Sequence, residues 1–399
     1  MDFYVEPAFF IIAAVLCVPA LACGLAGSAR GRKAWGLVAS AVMLALLFSR
    51  TPQELAFFGL FLVVSCAAAF FVLHLFTHGT AHRVALYRVA LAVALLPLVC
   101  AKVSAAFDAN LLGFAGISYL TFKTLQVLIE IRDGLIEELR FLDFLYFLLF
   151  FPVFTSGPIM RSRDFVQQLH ASLPHGAYLE LLAGGVFAFV IGALYSFVAA
   201  PLAEWAEWFV PEALGTGTPM LGACGQLLQA LFYGLYLFFN FAGYSFLAQG
   251  LGAFFGVRVP RNFRAPFAST DIKDFWNRWH ITLSFWLRDF VFMRITRAFM
   301  KRKVFNSRIT TACVGYVCNM TLMGLWHGLT VDFIAYGLFH GMLLAGCELF
   351  QKKSAFYKKH RKSTWFKALS WGVTMVCVFF GFALFSGQVS TCVLGVING

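Results

Sequence analysis

Continuous apolar runs long enough to cross a lipid bilayer recur along almost the whole of this sequence, near 7–27, 34–49, 55–76, 84–101, 111–129, 141–159, 178–200, 222–255, 309–327, 331–350 and 367–386. Each crossing needs about 20 helical residues. Within the hydrocarbon every backbone amide must be satisfied by the chain itself, which leaves only helices or closed barrels. Barrel strands alternate polar and apolar positions over about ten residues, and these runs do not alternate. With 60% of the 399 residues hydrophobic and 13% charged, the chain also falls outside the range of soluble domains. The sequence predicts an all-α, polytopic membrane protein of about eleven transmembrane or re-entrant helices, in a single membrane domain over 1–399.

Two of the runs are unusual. The stretch 222–255 is too long for one perpendicular helix and holds Gly234, Gly243, Gly250 and Gly252, which predicts a tilted, kinked or broken span. The run 111–129 carries Ser118, Thr121, Lys123 and Gln126, too polar for a lipid-facing helix, so it is expected to face protein or a cavity. At the amino terminus Asp2 and Glu6 stand where a signal peptide carries Lys or Arg, so the first run is expected to be a retained span.

The net charge of +12 must lie in the short connections of so apolar a chain. A nucleic-acid footprint is therefore the wrong reading. Under the positive-inside rule, Arg30, Arg32 and Lys33 after the first run, and His82 and Arg83 after the third, place the amino terminus outside. Lys301 to Lys303, and the series from Lys352 to Lys367, mark further cytoplasmic patches. Topology signalling explains them; so does a docking surface for an acidic cytoplasmic partner, and the two are compatible. The ten cysteines form no C-x-x-C pair and read as small buried hydrophobes. His74, His78 and His82 fall at i, i+4 and i+8 but run off a span into a basic loop, so no metal site is expected.

Costly polar groups at membrane depth mark cavities or reaction paths, and two clusters stand out. In 271–290, Lys273, Asn277, His280, Ser284 and Arg288 recur at helical spacing opposite Phe275, Trp279, Leu283, Trp286 and Phe290, which predicts one amphipathic helix. Such a helix can simply lie at the membrane surface; alternatively, it offers an imidazole beside the Asn277 amide. In 319–341, which opens on Asn319, His327 ends an apolar run between Gly324 and Gly328, and His340 sits between Gly337 and Gly341. Small residues four apart allow close helix approach, so either histidine is explained by packing alone. The chemical alternative is that a neutral imidazole, affordable in lipid, accepts the proton of an acceptor hydroxyl. No P-loop, dinucleotide fingerprint or Ser-His-Asp elbow is present.

At these residues the chain resembles the membrane-bound O-acyltransferase (MBOAT) family, in the ordered blocks GISYLTFKTLQVLIEIRDG (116–134), FPVFTSGPIMRSRDF (151–165), NFAGYSFLAQGLGAFFG (240–256), PRNFRAPFASTDIKDFWNRWHITLSFWLRDFVFMR (260–294) and NMTLMGLWHGLTVDFIAYGLFHG (319–341). These blocks span a core of about 110–350; beyond 350, nothing specific is recognised. Arg288-Asp289 continues as FVFMRITRAFMKRK and not as the proline-leucine-glycine-glycine-asparagine of the alginate-acetylating branch, a likeness to the D-alanyl-transferring branch. The resemblance implies a ring of tilted helices around a thin central tunnel in the bacterial cell membrane. It implies His327 as the catalytic histidine and His280 as the second signature histidine. On the chemistry of the residues themselves, His327 is expected to be the general base, His280 to orient the acyl group or donate to the oxyanion with Asn277 as a candidate for the same task, and Ser284 and Asn319 to support them. No bound cofactor is implied: the donor is D-alanine on the phosphopantetheine arm of a small acidic carrier protein. The acceptor route leads to teichoic acid, with further membrane or extracellular proteins completing transfer. Met300, Lys301, Arg302, Lys303, Val304 and Phe305, near Arg308, are the expected landing site of the carrier. Acetyl transfer to an exported polysaccharide, a transporter with histidine relays, and a non-catalytic scaffold are the competing readings.

Overall fold

A computed structural model describes residues 3–4, 6–79, 81–209 and 219–391. Asp2 and Cys392 lie outside them. The first eight helices are α1 (Pro7–Leu25), α2 (Ala29–Leu47), α3 (Pro52–Thr77), α4 (Arg83–Ala105), α5 (Ile117–Arg132), α6 (Phe141–Leu149), α7 (Ser162–His170) and α8 (His175–Trp208). They are followed by α9 (Pro219–Phe254), α10 (Ile272–Trp276), α11 (Ile281–Leu287), α12 (Met293–Lys301), α13 (Arg308–His327), α14 (Val331–Lys353), α15 (Ala355–His360) and α16 (Thr364–Phe385). No strand occurs among the described residues.

Eight of these helices, α1, α3, α4, α8, α9, α13, α14 and α16, are long and apolar enough to cross a membrane. The three remaining expected crossings differ for identifiable reasons. Helix α2 opens on Arg30, Arg32 and Lys33, and α5 has only 16 residues. The run 141–159 is not one helix: the backbone leaves the α region at Phe150 (φ −53°, ψ 100°) and enters a 3₁₀ turn at Phe151–Val153. Pro152 has no N–H with which to continue the ladder.

The chain divides into two compact units, Met1–Ala193 with Gly243–Arg261, and Leu194–Ala242 with Asn262–Gly399. In the first, the polar residues of α5 face protein. Thr121, Lys123, Thr124, Gln126 and Glu130 are all buried. The early end of α6 leaves last-turn carbonyls without helical partners, and Lys123 Nζ supplies them, donating to Phe147 O at 2.9 Å and Leu148 O at 3.3 Å. Gln126 Nε2 donates to Ser162 Oγ at 3.2 Å, which in turn donates to Glu130 Oε2 at 2.6 Å. At the start of α6, buried Asp143 pairs with Lys33 and with His170 Nε2. Burial alone would raise the Asp143 carboxyl, but the hydrogen bonds and charges of Lys33 and His170 outweigh it and hold it below the usual range.

In the second unit α13 and α14 form an antiparallel hairpin whose backbones nearly touch. A Cβ on Gly324 would lie 2.2 Å from Phe333 O, and one on Gly337 2.5 Å from Met320 O. Only glycine permits that approach. The hairpin carries His327 at the end of its first helix, just before the turn.

Candidate functional site

The single amphipathic helix expected over 271–290 is broken at its centre. Helix α10 ends at Trp276, α11 starts at Ile281, and a π-helical segment, Arg288–Phe292, follows before α12. His280 stands at the break with φ 43° and ψ 50°, a left-handed conformation that costs a non-glycine residue about 1–3 kcal/mol and persists only where its surroundings impose it. They do so through the segment after Arg261. Arg264 N donates to Arg278 O at 3.0 Å, Ile281 N to Asn262 O at 2.9 Å, and Thr282 Oγ1 to Asn262 Oδ1 at 2.6 Å.

The break redistributes the predicted stripe. Asn277 is exposed while His280 is 5% exposed, so the two do not share a face. Lys273 reaches α14, where it pairs with Glu348 and donates to Gln351 Oε1 at 2.9 Å. Ser284 Oγ donates to Trp279 O at 3.2 Å across the turn that holds His280. Phe241 meets the His280 ring edge-on at 4.4 Å, and the buried Nε2 has no hydrogen-bond partner among the described residues.

Asn262 is the residue that pattern reading passed over, because its role is to hold a turn twenty residues downstream. Asn262→Ala removes the acceptor to which the buried Thr282 hydroxyl donates, a loss of about 0.5–1.5 kcal/mol, and frees the His280 turn to relax. A displacement of about 1 Å in a reacting group can cost ~10²-fold in rate. Acyl-transfer rates for this variant are therefore expected to fall by more than about tenfold even where melting shows most of the protein folded. Wild-type rates would show that the backbone contacts alone set the turn.

His327 is half-buried at the carboxyl end of α13, with the chain extending at Gly328. Its ring lies 4.6 Å from Trp326, 4.9 Å edge-on from Phe385, 5.9 Å from Phe333 and 6.4 Å from Tyr336. Phe385 comes from the last residue of α16, a span with no recognisable motif. Both histidines belong to the second unit. His280, outside the eight candidate crossings, is held well below the usual histidine range first by burial and then by the charge of His327. A proton on His327 therefore disfavours a proton on His280.

The other predicted residues are more scattered. Asn319 is buried on α13 with Oδ1 unpartnered among the described residues, but stands about 12 Å of helix rise before His327. His340 is buried on α14, 4.6 Å from Tyr336 and 5.2 Å from Trp276, its ring nitrogens without partners among the described residues. After α12 the chain turns at Lys303 (φ 53°). That turn exposes Lys301, Arg302 and Lys303 beside Met300 and Val304, and Phe305 packs on Phe299 at 5.6 Å. The His74 and His78 rings lie 4.3 Å apart, tilted by 32°, but His82 opens the next helix with φ 61°, so the three do not continue as one ladder.

A model of the membrane-bound O-acyltransferase family matches residues 58–394. The chain is 36% identical over 395 residues to the teichoic acid D-alanyltransferase of Bacillus subtilis, covering 95% of this chain and 96% of that protein. It is 41% identical over 311 residues to the teichoic acid D-alanyltransferase of Streptococcus thermophilus, covering 73% of each. Against the probable alginate O-acetylase AlgI of Pseudomonas fluorescens the identity is 32% over 277 residues, 68% of this chain but 51% of that protein.

Proposed function

The chain belongs to the membrane-bound O-acyltransferase family and is an acyltransferase, and from that premise we propose that it moves D-alanine from a carrier-protein thioester to the teichoic acid pathway of a bacterial cell membrane. The observation that supports the chemistry is the placement of two imidazoles in one compact unit, His280 buried at a break in the chain and His327 half-buried at a helix end. The choice of D-alanine is supported by similarity along 96% of the Bacillus subtilis and 73% of the Streptococcus thermophilus D-alanyltransferase, against about half the length of the alginate acetylase.

A thioester already carries the activation, so three tasks remain: placing the acceptor oxygen, removing its proton and stabilising the oxyanion. In this scheme His327 takes the hydroxyl proton as the oxygen attacks the thioester carbonyl. His280, kept neutral by its surroundings, donates its remaining N–H to the oxyanion that forms. Collapse breaks the carbon–sulfur bond, the ester remains, and the proton held by His327 leaves with the pantetheine thiolate. The exposed basic turn from Met300 to Phe305 receives the acidic carrier from the cytoplasmic side, with the amino terminus outside. Charge steers the encounter there, and Met300 and Val304, each 49% exposed, supply the apolar contact.

The test is reconstitution in liposomes with carrier charged with D-alanine, or with acetyl, followed by mass analysis of the acylated product. In this reading the site hydrogen-bonds the ammonium group of the D-alanyl donor, and D-alanyl transfer is expected to exceed acetyl transfer by about 10²-fold or more. Equal or faster acetyl transfer would move the reading to polysaccharide acetylation. Carrier association is expected to slow steadily between ~0.05 and ~0.5 M salt; salt-independent association would remove the basic turn as its landing site.

A further inference from the structure

Away from the histidines, the second unit contains a cavity of about 440 Å³ beside α14, α15 and α16. Its walls change character along its length. Leu343 on α14, and Leu369, Val373 and Cys377 on α16, line an apolar part that follows α16 for about 12 Å, more than a third of a bilayer core. Arg361 and Lys367 line the other part. Both are exposed, and neither is in an ion pair among the described residues. Asp271 also borders the cavity, but its carboxylate oxygens accept from Asp274 N at 2.9 Å and Gln351 Nε2 at 3.0 Å.

Three further observations say what chemistry fits. Leu369 and Val373 are 56% and 57% exposed, so the apolar part opens sideways on the face of a candidate membrane crossing. Trp365 and Trp371 are half-exposed on the first two turns of α16, at the end where tryptophans mark the headgroup level. No Asp or Glu occurs from Lys352 to Thr374, while that stretch holds Lys352, Lys353, Lys358, Lys359 and Lys362 besides the two cavity cations. A ligand here must be apolar for a dozen ångströms and negatively charged at one end. Guanidinium and ammonium groups beside a bilayer edge meet that demand with phosphate.

We infer that this cavity binds one anionic phospholipid of the surrounding leaflet, its phosphate between Arg361 and Lys367 and an acyl chain in the groove between α14 and α16. The site is separate from the imidazole pair and independent of which acyl group the enzyme transfers.

The experiment is native mass spectrometry of the full chain released from detergent, titrated with phosphatidylglycerol or phosphatidylcholine of identical chains. One phosphatidylglycerol is expected to remain bound in about tenfold preference, equivalent to ~1.4 kcal/mol. The double variant Arg361→Ala/Lys367→Ala should lose that preference. Lys358→Ala/Lys359→Ala, which removes the same charge from residues outside the cavity lining, should keep it, and Val373→Trp should reduce binding of both lipids by filling the groove. Equal loss in the two charge variants would reduce the effect to general attraction by a basic segment and overturn the site, as would equal retention of both lipids by the wild type. Melting of the unmodified protein provides a reading that needs no variant: phosphatidylglycerol should raise the midpoint more than phosphatidylcholine, and no difference between them overturns the proposal.

Discussion

His327→Ala is expected to slow acyl transfer by at least about 10²–10⁴-fold, the range that general-base assistance supplies, while the detergent-extracted protein melts close to the wild type. The separation of the two effects follows from where the ring lies. His327 is half-buried at the end of α13, beyond the glycine contacts that join α13 to α14. Truncation removes ring contacts with Trp326, Phe333, Tyr336 and Phe385 but leaves the backbone contacts of the hairpin seam in place. What disappears is the only proton acceptor that the proposed scheme uses on the acceptor hydroxyl. Turnover by the purified variant at the wild-type rate would remove the base assignment. A variant that is inactive but still supports envelope modification in cells would instead favour a scaffold role.

How much of this was readable from residues alone depends on how local each determinant is. The all-helical membrane class was legible because run length and the absence of alternation are properties of short windows. The burial of α5 was legible for a similar reason: Lys123 and Gln126 cannot face lipid without partners, whatever the partners turn out to be. The break at His280 was not. Its cause is a hydrogen bond from Thr282 to Asn262 and backbone contacts with the irregular segment around Arg264, while the local pattern of 271–290 is that of a continuous amphipathic helix. Phe385 was hidden for the opposite reason, since a phenylalanine among many in an apolar span has no signal until the fold sets it edge-on to His327.

The glycines of the α13–α14 hairpin yield the largest expected loss of stability. In an ordinary helix, replacing glycine by alanine is favourable by about 1 kcal/mol, so the sign at Gly324 depends on what the new carbon meets. It meets Phe333 O at 2.2 Å and Gly337 Cα at 3.2 Å, both backbone atoms that no rotamer change can move aside. The two helices must separate, and Gly337, whose own Cβ would meet Met320 O at 2.5 Å, lies in the same seam. Overpacking of this kind costs about 1–3 kcal/mol and more when backbone must shift, which exceeds the propensity gain. Gly324→Val, larger and β-branched, is expected to lose about 3 kcal/mol or more and to lose activity as well, because separating α13 from α14 carries His327 away from Phe333 and Tyr336. Gly372→Ala on α16, where nothing lies within 4 Å of the added carbon, is the matched control and should be neutral or slightly stabilising. Thermal melting and acyl-transfer rates on both variants check the contrast; a Gly324→Val protein as stable as the Gly372→Ala protein would mean that the hairpin seam is looser than these contacts require.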